Sequence, residues 1–178
     1  MANAMKNRYI VEGSVARIIA QDKYEILVDA DDLDIVHERY PNTWTVNNTG
    51  INKRYVSGVM KGKVLWLSRY IMSAPSGMIV DHINRNTLDN RRSNLRIVTS
   101  FENGQNRSLQ SNNKTGYRGV FHRKDTNKWI AYVYRDRKRH HLGSFDTPEE
   151  ANAVAVYHRK LLLPYSYEGN EQFDGRVS

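Results

Sequence analysis

Residues 80–103 read VDHINRNTLDNRRSNLRIVTSFEN. His82 stands beside Asp81, a second aspartate follows at Asp89, and asparagine recurs at 84, 86, 90, 94 and 103. A hydrophobic core does not take such a composition, because every buried amide must find partners for its donors and acceptors. A plain loop, for its part, has no need of the apolar, strand-like LRIV in the middle. The stretch therefore dictates a local order. A strand over 78–82 (MIVDH) runs into a loop over 83–94, rich in residues that hydrogen-bond their own backbone. A second strand follows over 95–99 (LRIVT), and Thr99 with Glu102 then forms a capping box that opens a short helix.

That order suggests chemistry. The first strand ends on Asp81 and His82, the second brings Asn94 alongside, and the helix carries Asn103 in its first turn. Asp81 and Asn103 offer oxygen ligands from two different elements. Oxygen without thiolate selects a hard ion such as Mg²⁺ or Mn²⁺, with water in the remaining positions. A neutral imidazole at His82 could take a proton from a water that attacks phosphorus. Singly, each residue has a plainer explanation: an Asp–His pair at a surface, asparagines that shape turns at 84, 86 and 90, a structural Asn94, an ordinary early-helix Asn103. The ordered set carries the argument. Neighbours in a regular strand point to opposite faces, so for Asp81 and His82 to serve one site the strand must twist or end there.

Cysteine is absent, which removes disulfides and thiolate-bound zinc and fits a reducing cytoplasm. The N-terminal MANAMKNRYI holds no apolar signal segment, and no apolar run approaches the ~18 residues of a membrane span. Net charge is +8 over 178 residues. From Arg107 to His141 ten basic residues face only Asp125 and Asp136, so this window carries the whole excess. It is interleaved with Tyr117, Phe121, Trp129, Tyr132 and Tyr134, the footprint of a nucleic-acid binder.

The rest of the chain divides around these two features. Residues 1–72 read as a β-rich scaffold of short strands and tight turns, with an acidic turn after Val28. Its acids at 22, 25, 29, 31, 32, 34 and 38 would repel phosphate. The segment from Thr43 to Ile71 reads as three strands with turns at Asn-Thr-Gly and Lys-Gly-Lys. Residues 73–107 hold the Asn-rich unit and 108–113 a polar linker. Residues 114–164 give three strands (GYRGVFHR, KWIAYVYR, KRHHLGSF) and a helix with Thr147 as N-cap, Pro148 at its first position and Glu150 completing a capping box. Ala151, Val154, Ala155, His158 and Leu162 form its buried stripe. Alternation puts Trp129, Ala131 and Val133 on one sheet face and Ile130, Tyr132 and Tyr134 on the other. Residues 165–178 read as a polar, flexible tail. The fold class expected is α+β.

Two resemblances sharpen this. DH at 81–82, LDNRRSNLR at 88–96 and EN at 102–103, preceded by LSRYIM at 67–72, resemble the HNH (ββα-metal) nuclease motif of phage and intron-encoded homing endonucleases. The resemblance implies His82 as general base, Asp81 and Asn103 as metal ligands, Asn94 as the residue that braces the loop and orients the histidine, and Mg²⁺ or Mn²⁺ as cofactor. Many relatives carry histidine where this chain has Ser68. Residues 113–162 resemble the Apetala-two/ethylene-response-factor (ERF) DNA-binding domain through GYRGV, KWIAYV, HLGSF and TPEEANAVAVY. That family packs a three-stranded antiparallel sheet on one helix and turns the sheet toward duplex DNA. By position, Arg118, Arg123, Tyr132, Tyr134, Arg135, Arg139 and His141 are then DNA contacts, more of them to phosphate than to bases.

The expectation is a site-selective DNA endonuclease acting in the cytoplasm of a host cell. It would leave a 5′-phosphate and a 3′-hydroxyl. With one finger and no heptad pattern, it would act as a monomer that nicks one strand, with no membrane role and no inferable protein partner. The alternative is a non-catalytic DNA-binding regulator that retains the finger as scaffold. RNA binding is a third option, and the GYRGV…LGSF pattern favours duplex DNA over it.

Overall fold

A computed structural model describes residues 6–38, 43–50, 53–109 and 112–168. The expected tail is described only to Glu168, and residues 110 and 111 of the expected linker lie outside the described residues. The fold is α+β, with several small antiparallel sheets. The chain divides into two compact units, residues 1–100 and 101–178.

In the first unit β1 (Tyr9–Glu12), β2 (Val15–Ala20) and β3 (Tyr24–Asp29) form an antiparallel meander. Strand periodicity sets its buried face. Ala16, Ile18 and Ala20 alternate inward on β2, as do Ile26 and Val28 on β3. The expected acidic turn after Val28 is a 3₁₀ turn leading into a helix, α1 (Leu33–Glu38). Val36 is buried there, and its carbonyl accepts from the indole N–H of the fully buried Trp44 at 3.2 Å. Asn7 holds the same point: its amide donates to the carbonyls of Ile19 and Trp44 and accepts from the Trp44 N–H at 2.7 Å.

A second sheet, β4 (Thr45–Gly50), β5 (Lys53–Met60) and β6 (Lys63–Trp66), buries Val46 and Val56 in the same core. The third strand expected to reach Ile71 stops at Trp66, and the chain turns into α2 (Leu67–Ile71). The cause is a buried i, i+4 pair, Leu67 and Ile71. Arg69 adds to it by donating to the carbonyls of Ala74, Pro75 and Met78 and so fixing the loop that follows. Then come β7 (Ile79–His82), β8 (Leu95–Val98) and the short helix α3 (Ser100–Asn103), in the expected order. The division between the units falls inside α3.

In the second unit β9 (Val120–Arg123), β10 (Lys128–Arg135) and β11 (Lys138–Phe145) form an antiparallel sheet with β10 at its centre. Helix α4 (Pro148–Leu162) packs on it with the expected capping box: Thr147 Oγ1 accepts from the Glu150 N–H, and the Glu150 carboxylate accepts from the Thr147 N–H. Small residues make the contact close, with Ala151 and Ala155 against Val120 and Ala131 and a rim of Tyr117, Trp129, Leu142 and Phe145. Gly119 is required by a similar closeness. Its φ is +75°, and a Cβ there would lie 2.4 Å from the Tyr132 carbonyl oxygen. The buried stripe of α4 continues through Arg159, whereas Val154, His158 and Leu162 are half-buried. Arg159 pairs with Glu168 at 2.9 Å and donates to the Arg118 carbonyl at 2.7 Å, which ties Glu168 to the turn before β9.

Candidate active site

The ββ hairpin of the first unit meets the geometric condition set by its sequence: β7 ends at His82. Asp81 and His82 therefore have different surroundings. Asp81 pairs across the ladder with Arg96, and its Oδ2 accepts from Nε at 2.9 Å and from a terminal nitrogen at 2.7 Å. His82 stands opposite Leu95, is 5 % exposed, and meets the edge of the Tyr55 ring at 6.4 Å between centroids. Its Nε2 lies 3.3 Å from Asn90 Oδ1, while the Asn90 amide nitrogen donates to the Thr87 carbonyl. An amide oxygen only accepts. The contact favours the tautomer with the proton on Nε2 and the lone pair on Nδ1.

The asparagines build the loop that delivers Asn90. Asn84 Oδ1 accepts from the Asn86 N–H and Asn86 Oδ1 from the Leu88 N–H, two local turns of the kind these residues favour. Asn94 closes the loop: Oδ1 accepts from the Asn84 N–H at 2.9 Å, Nδ2 donates to the Asp89 carbonyl at 2.7 Å, and its carbonyl accepts from the Ile83 N–H. Asp89 is almost fully buried, held by Arg91 at 2.7 and 2.8 Å and by Asn84 at 3.0 Å. The loop is fastened to β3 by backbone bonds from Leu27 to Leu88 and from Asn90 to Leu27. Arg92 adds a side-chain clamp, donating from its backbone to Asp29 and from its guanidinium to the buried Asp32 at 2.7–3.0 Å. Part of the acidic segment after Val28 thus neutralises the finger's own arginine.

Burial lowers the pKa of His82 below its ordinary value, although Asn90, Asp81 and Asp89 pull the other way. The imidazole is therefore neutral at pH 7 and able to accept a proton. Asp89 would be raised by burial, but hydrogen bonds and charge from Arg91 bring it below the usual carboxylate value. Asp81 supplies one carboxylate beside His82. Among the described residues no group of three His, Cys, Asp or Glu side chains gathers as a metal cage. A hard divalent ion held through Asp81 would draw most of its ligands from water and phosphate and would share that carboxylate with Arg96. Asn103, the other expected ligand, ends α3 at the start of the second unit.

The second unit gathers most of its expected contacts on one face. Tyr132 pairs with His141 and Tyr134 with Arg139 across a β-bulge that leaves Leu142 unpaired, while β9 adds Phe121 opposite Ile130 and Arg123 opposite Lys128. Phe121, Arg123, Ile130, Tyr132, Arg139 and His141 line a shallow cavity of about 160 Å³. The Arg139 guanidinium lies over the rings of Phe121 and Tyr132, 5.5 and 5.2 Å from their centroids. Tyr134 extends the face and is largely exposed. Arg135 has the opposite parity and pairs with Lys138 at the strand ends. Arg118 turns inward, donating to the Gln105 carbonyl at 2.9 Å and approaching Glu168 at 4.0 Å.

The resemblance gives Asn94 two tasks, bracing the loop and orienting the histidine; Asn94 does close the loop, and Asn90 Oδ1 lies beside the ring. Both asparagines fit a turn, and nothing in the spacing separates them. The roles of Tyr55, Arg91 and Arg96 depend on cross-strand and loop pairing, which leaves no mark in the spacing either.

A family model described as HNH endonuclease matches residues 73–105. A protein of Acanthamoeba polyphaga mimivirus, described as an uncharacterized HNH endonuclease, is 30 % identical over 115 residues, 65 % of this chain and 54 % of that protein. Protein 3.8 of Escherichia phage T7 is 32 % identical over 87 residues, 49 % of this chain and 72 % of that protein. The chain thus spans about half the length of the first relative and nearly three quarters of the second. No solved structure matches.

Proposed function

The chain belongs to the HNH endonuclease family, and from that premise we propose that it is a site-selective, metal-dependent DNA endonuclease in which residues 73–107 cut and the C-terminal sheet holds the site. The observation that carries the reading is the buried His82 at the end of β7, with Nε2 set against the Asn90 amide oxygen.

In this mechanism Nδ1 of His82 takes a proton from water as the water oxygen bonds to phosphorus. The P–O3′ bond breaks, the departing oxygen gains a proton from solvent, and the products are a 5′-phosphate and a 3′-hydroxyl. Asn90 keeps the imidazole in the tautomer that the step needs. Asn94 holds both ends of the loop that positions Asn90, with Asp89 and Arg91 locked beneath it. HNH nucleases generally use divalent metal ions. Asp81 and Asn103 are the proposed ligands for Mg²⁺ or Mn²⁺, which when bound stabilises charge on the phosphoryl and leaving oxygens.

The reader is the sheet of the second unit. Arg123, Tyr132, Tyr134, Arg139 and His141 are its proposed DNA contacts, with Arg135 at the rim, and Arg118 braces the fold by way of Gln105. An ERF-like mode, sheet toward duplex DNA, is supported by the three strands on one helix and by the cationic, aromatic face. A free-standing phage or mobile-element enzyme, of homing type, working as a monomer in the host cytoplasm and nicking one strand, completes the proposal. No described helix is long and apolar enough to cross a membrane.

One observation favours the rival, a DNA-binding protein without catalysis: the Asp81 carboxylate is already bonded by Arg96. Incubating the protein with host and phage DNA and Mg²⁺, then mapping cut ends, decides between them. Ends bearing 5′-phosphate at a discrete site support the nuclease; retarded but uncut DNA supports the regulator.

A further inference from the structure

The β5–β6 ribbon belongs to a region whose acids argued for a scaffold, yet its own sequence, KRYVSGVMKGKVLW, holds four basic residues and no acid. The two strands meet in a tight turn at Lys61 (φ 47°) and Gly62 (φ 75°), and Lys61 and Lys63 project into solvent. One ribbon face is buried through Val56. The other carries Tyr55, Val59, Val64 and Trp66. Val59 and Val64 are cross-strand partners, 62 % and 57 % exposed, and Trp66 is 37 % exposed. That face leads to the site: the Trp66 ring meets Tyr55 at 6.1 Å, and Tyr55 meets His82 at 6.4 Å. The ribbon is also fastened to the catalytic loop, because the Thr87 hydroxyl donates to the Arg54 carbonyl.

We infer that this ribbon is a second DNA-binding element, lying against the duplex that flanks the cut, with Lys61 and Lys63 on phosphates and Val59, Val64 and Trp66 against the groove. The inference rests on the nuclease reading. A second copy of the chain fits the surface poorly. Two basic ribbons would face one another without a countercharge, and two valines with part of an indole fall well short of the roughly 1,000 Å² of a stable interface. Duplex DNA supplies the countercharge. A two-stranded ribbon also suits the major groove, about 12 Å wide, and not the unwidened minor groove at about 6 Å. From Tyr55 to Lys61 the strand advances about 20 Å at about 3.3 Å per residue. Its contacts therefore fall within about six base pairs of the cut, at about 3.4 Å per nucleotide step.

The chain contains no cysteine, so Val64→Cys in the full-length protein provides a single attachment point for an azidophenacyl photocross-linker. Ile10→Cys, on the exposed edge strand β1, is the control. On the duplex where the parent's cut maps, position 64 is expected to cross-link within about six base pairs of the cut, and position 10 is not. In parallel, Lys61→Gln/Lys63→Gln should lower the slope of log K against log salt by about 1.8, or about 0.9 for each phosphate no longer neutralised, with unchanged melting. If the parent cuts DNA but position 64 cross-links no better than position 10 and the salt slope is unaltered, the ribbon assignment is wrong and the nuclease reading stands. Self-association that is abolished by Val59→Thr/Val64→Thr also overturns it, in favour of a copy interface. If the parent neither binds nor cuts DNA, both readings fall together.

Discussion

Asn90 Oδ1 stands 3.3 Å from His82 Nε2 at the buried end of β7, and in the proposed mechanism this contact holds the proton on Nε2 and leaves Nδ1 to act as the base. Replacing Asn90 with Ala removes the acceptor and lets the ring adopt the other tautomer. The expected loss is on the order of 10- to 100-fold in kcat, the cost seen when the partner that orients a metal-bound imidazole is deleted, with KM for DNA nearly unchanged. Single-turnover cleavage alongside equilibrium binding separates the two quantities. A variant with weakened binding and an intact chemical step would assign Asn90 a structural role alone.

The metal-free protein should lose stability in two stages on acidification. His82 has a folded pKa below its ordinary 6.5. Its contribution is therefore complete above pH 6.5 and is lost as pH falls from there through the lower folded value, because the unfolded chain takes up the proton first. Asp89 is depressed below 3.8, so its contribution is present above that pH and disappears as pH falls through its folded value. Urea midpoints in EDTA across this range should show both stages, and His82→Gln should erase the first. A profile flat from pH 7 to 5 would contradict the burial assigned to His82.

Much of this is legible in the sequence. The order strand, loop, strand, helix follows from an apolar strand on either side of asparagines that fold back on their own backbone, and α4 announces itself through Thr147, Pro148 and Glu150. Two departures have physical causes. LWLSRYI suits a strand as well as a helix; burial of the Leu67 and Ile71 pair commits it from Leu67 onward to helix, and Arg69, through carbonyls up to nine residues away, fixes the loop that follows. The acids after Val28 look like a surface that repels phosphate, whereas Asp29 and Asp32 hold Arg92, some sixty residues later. Pairings across such distances leave no periodic signal.

The second unit makes a clear demand on its boundaries. Gln105 receives Arg118 on its carbonyl and the Tyr165 N–H on its side chain, so a fragment of residues 101–168 should fold alone, and one starting at 112 should be less stable. Both should bind duplex DNA with steep salt dependence where folded. Equal melting temperatures for the two fragments would remove Gln105 from the account.

Within that unit Arg159 and Glu168 form a nearly buried pair, with side chains 4 % and 10 % exposed. Deleting one partner strands the other charge, so Glu168→Ala should cost about 3–5 kcal/mol of stability. Chemical denaturation of the 101–168 fragment measures it. A cost below about 1 kcal/mol, typical of exposed pairs, would mean that the pair is solvated.

The central claim is that His82 is the base of a metal-dependent cut. Supercoiled plasmid carrying the mapped site, incubated with excess protein, tests it most directly. With Mg²⁺ the wild-type protein should accumulate open circles, EDTA should stop the reaction, and His82→Ala should slow it by about 10²- to 10⁴-fold while retarding the same DNA in a gel. Cutting by His82→Ala within tenfold of wild type, or undiminished cutting in EDTA, would contradict the mechanism.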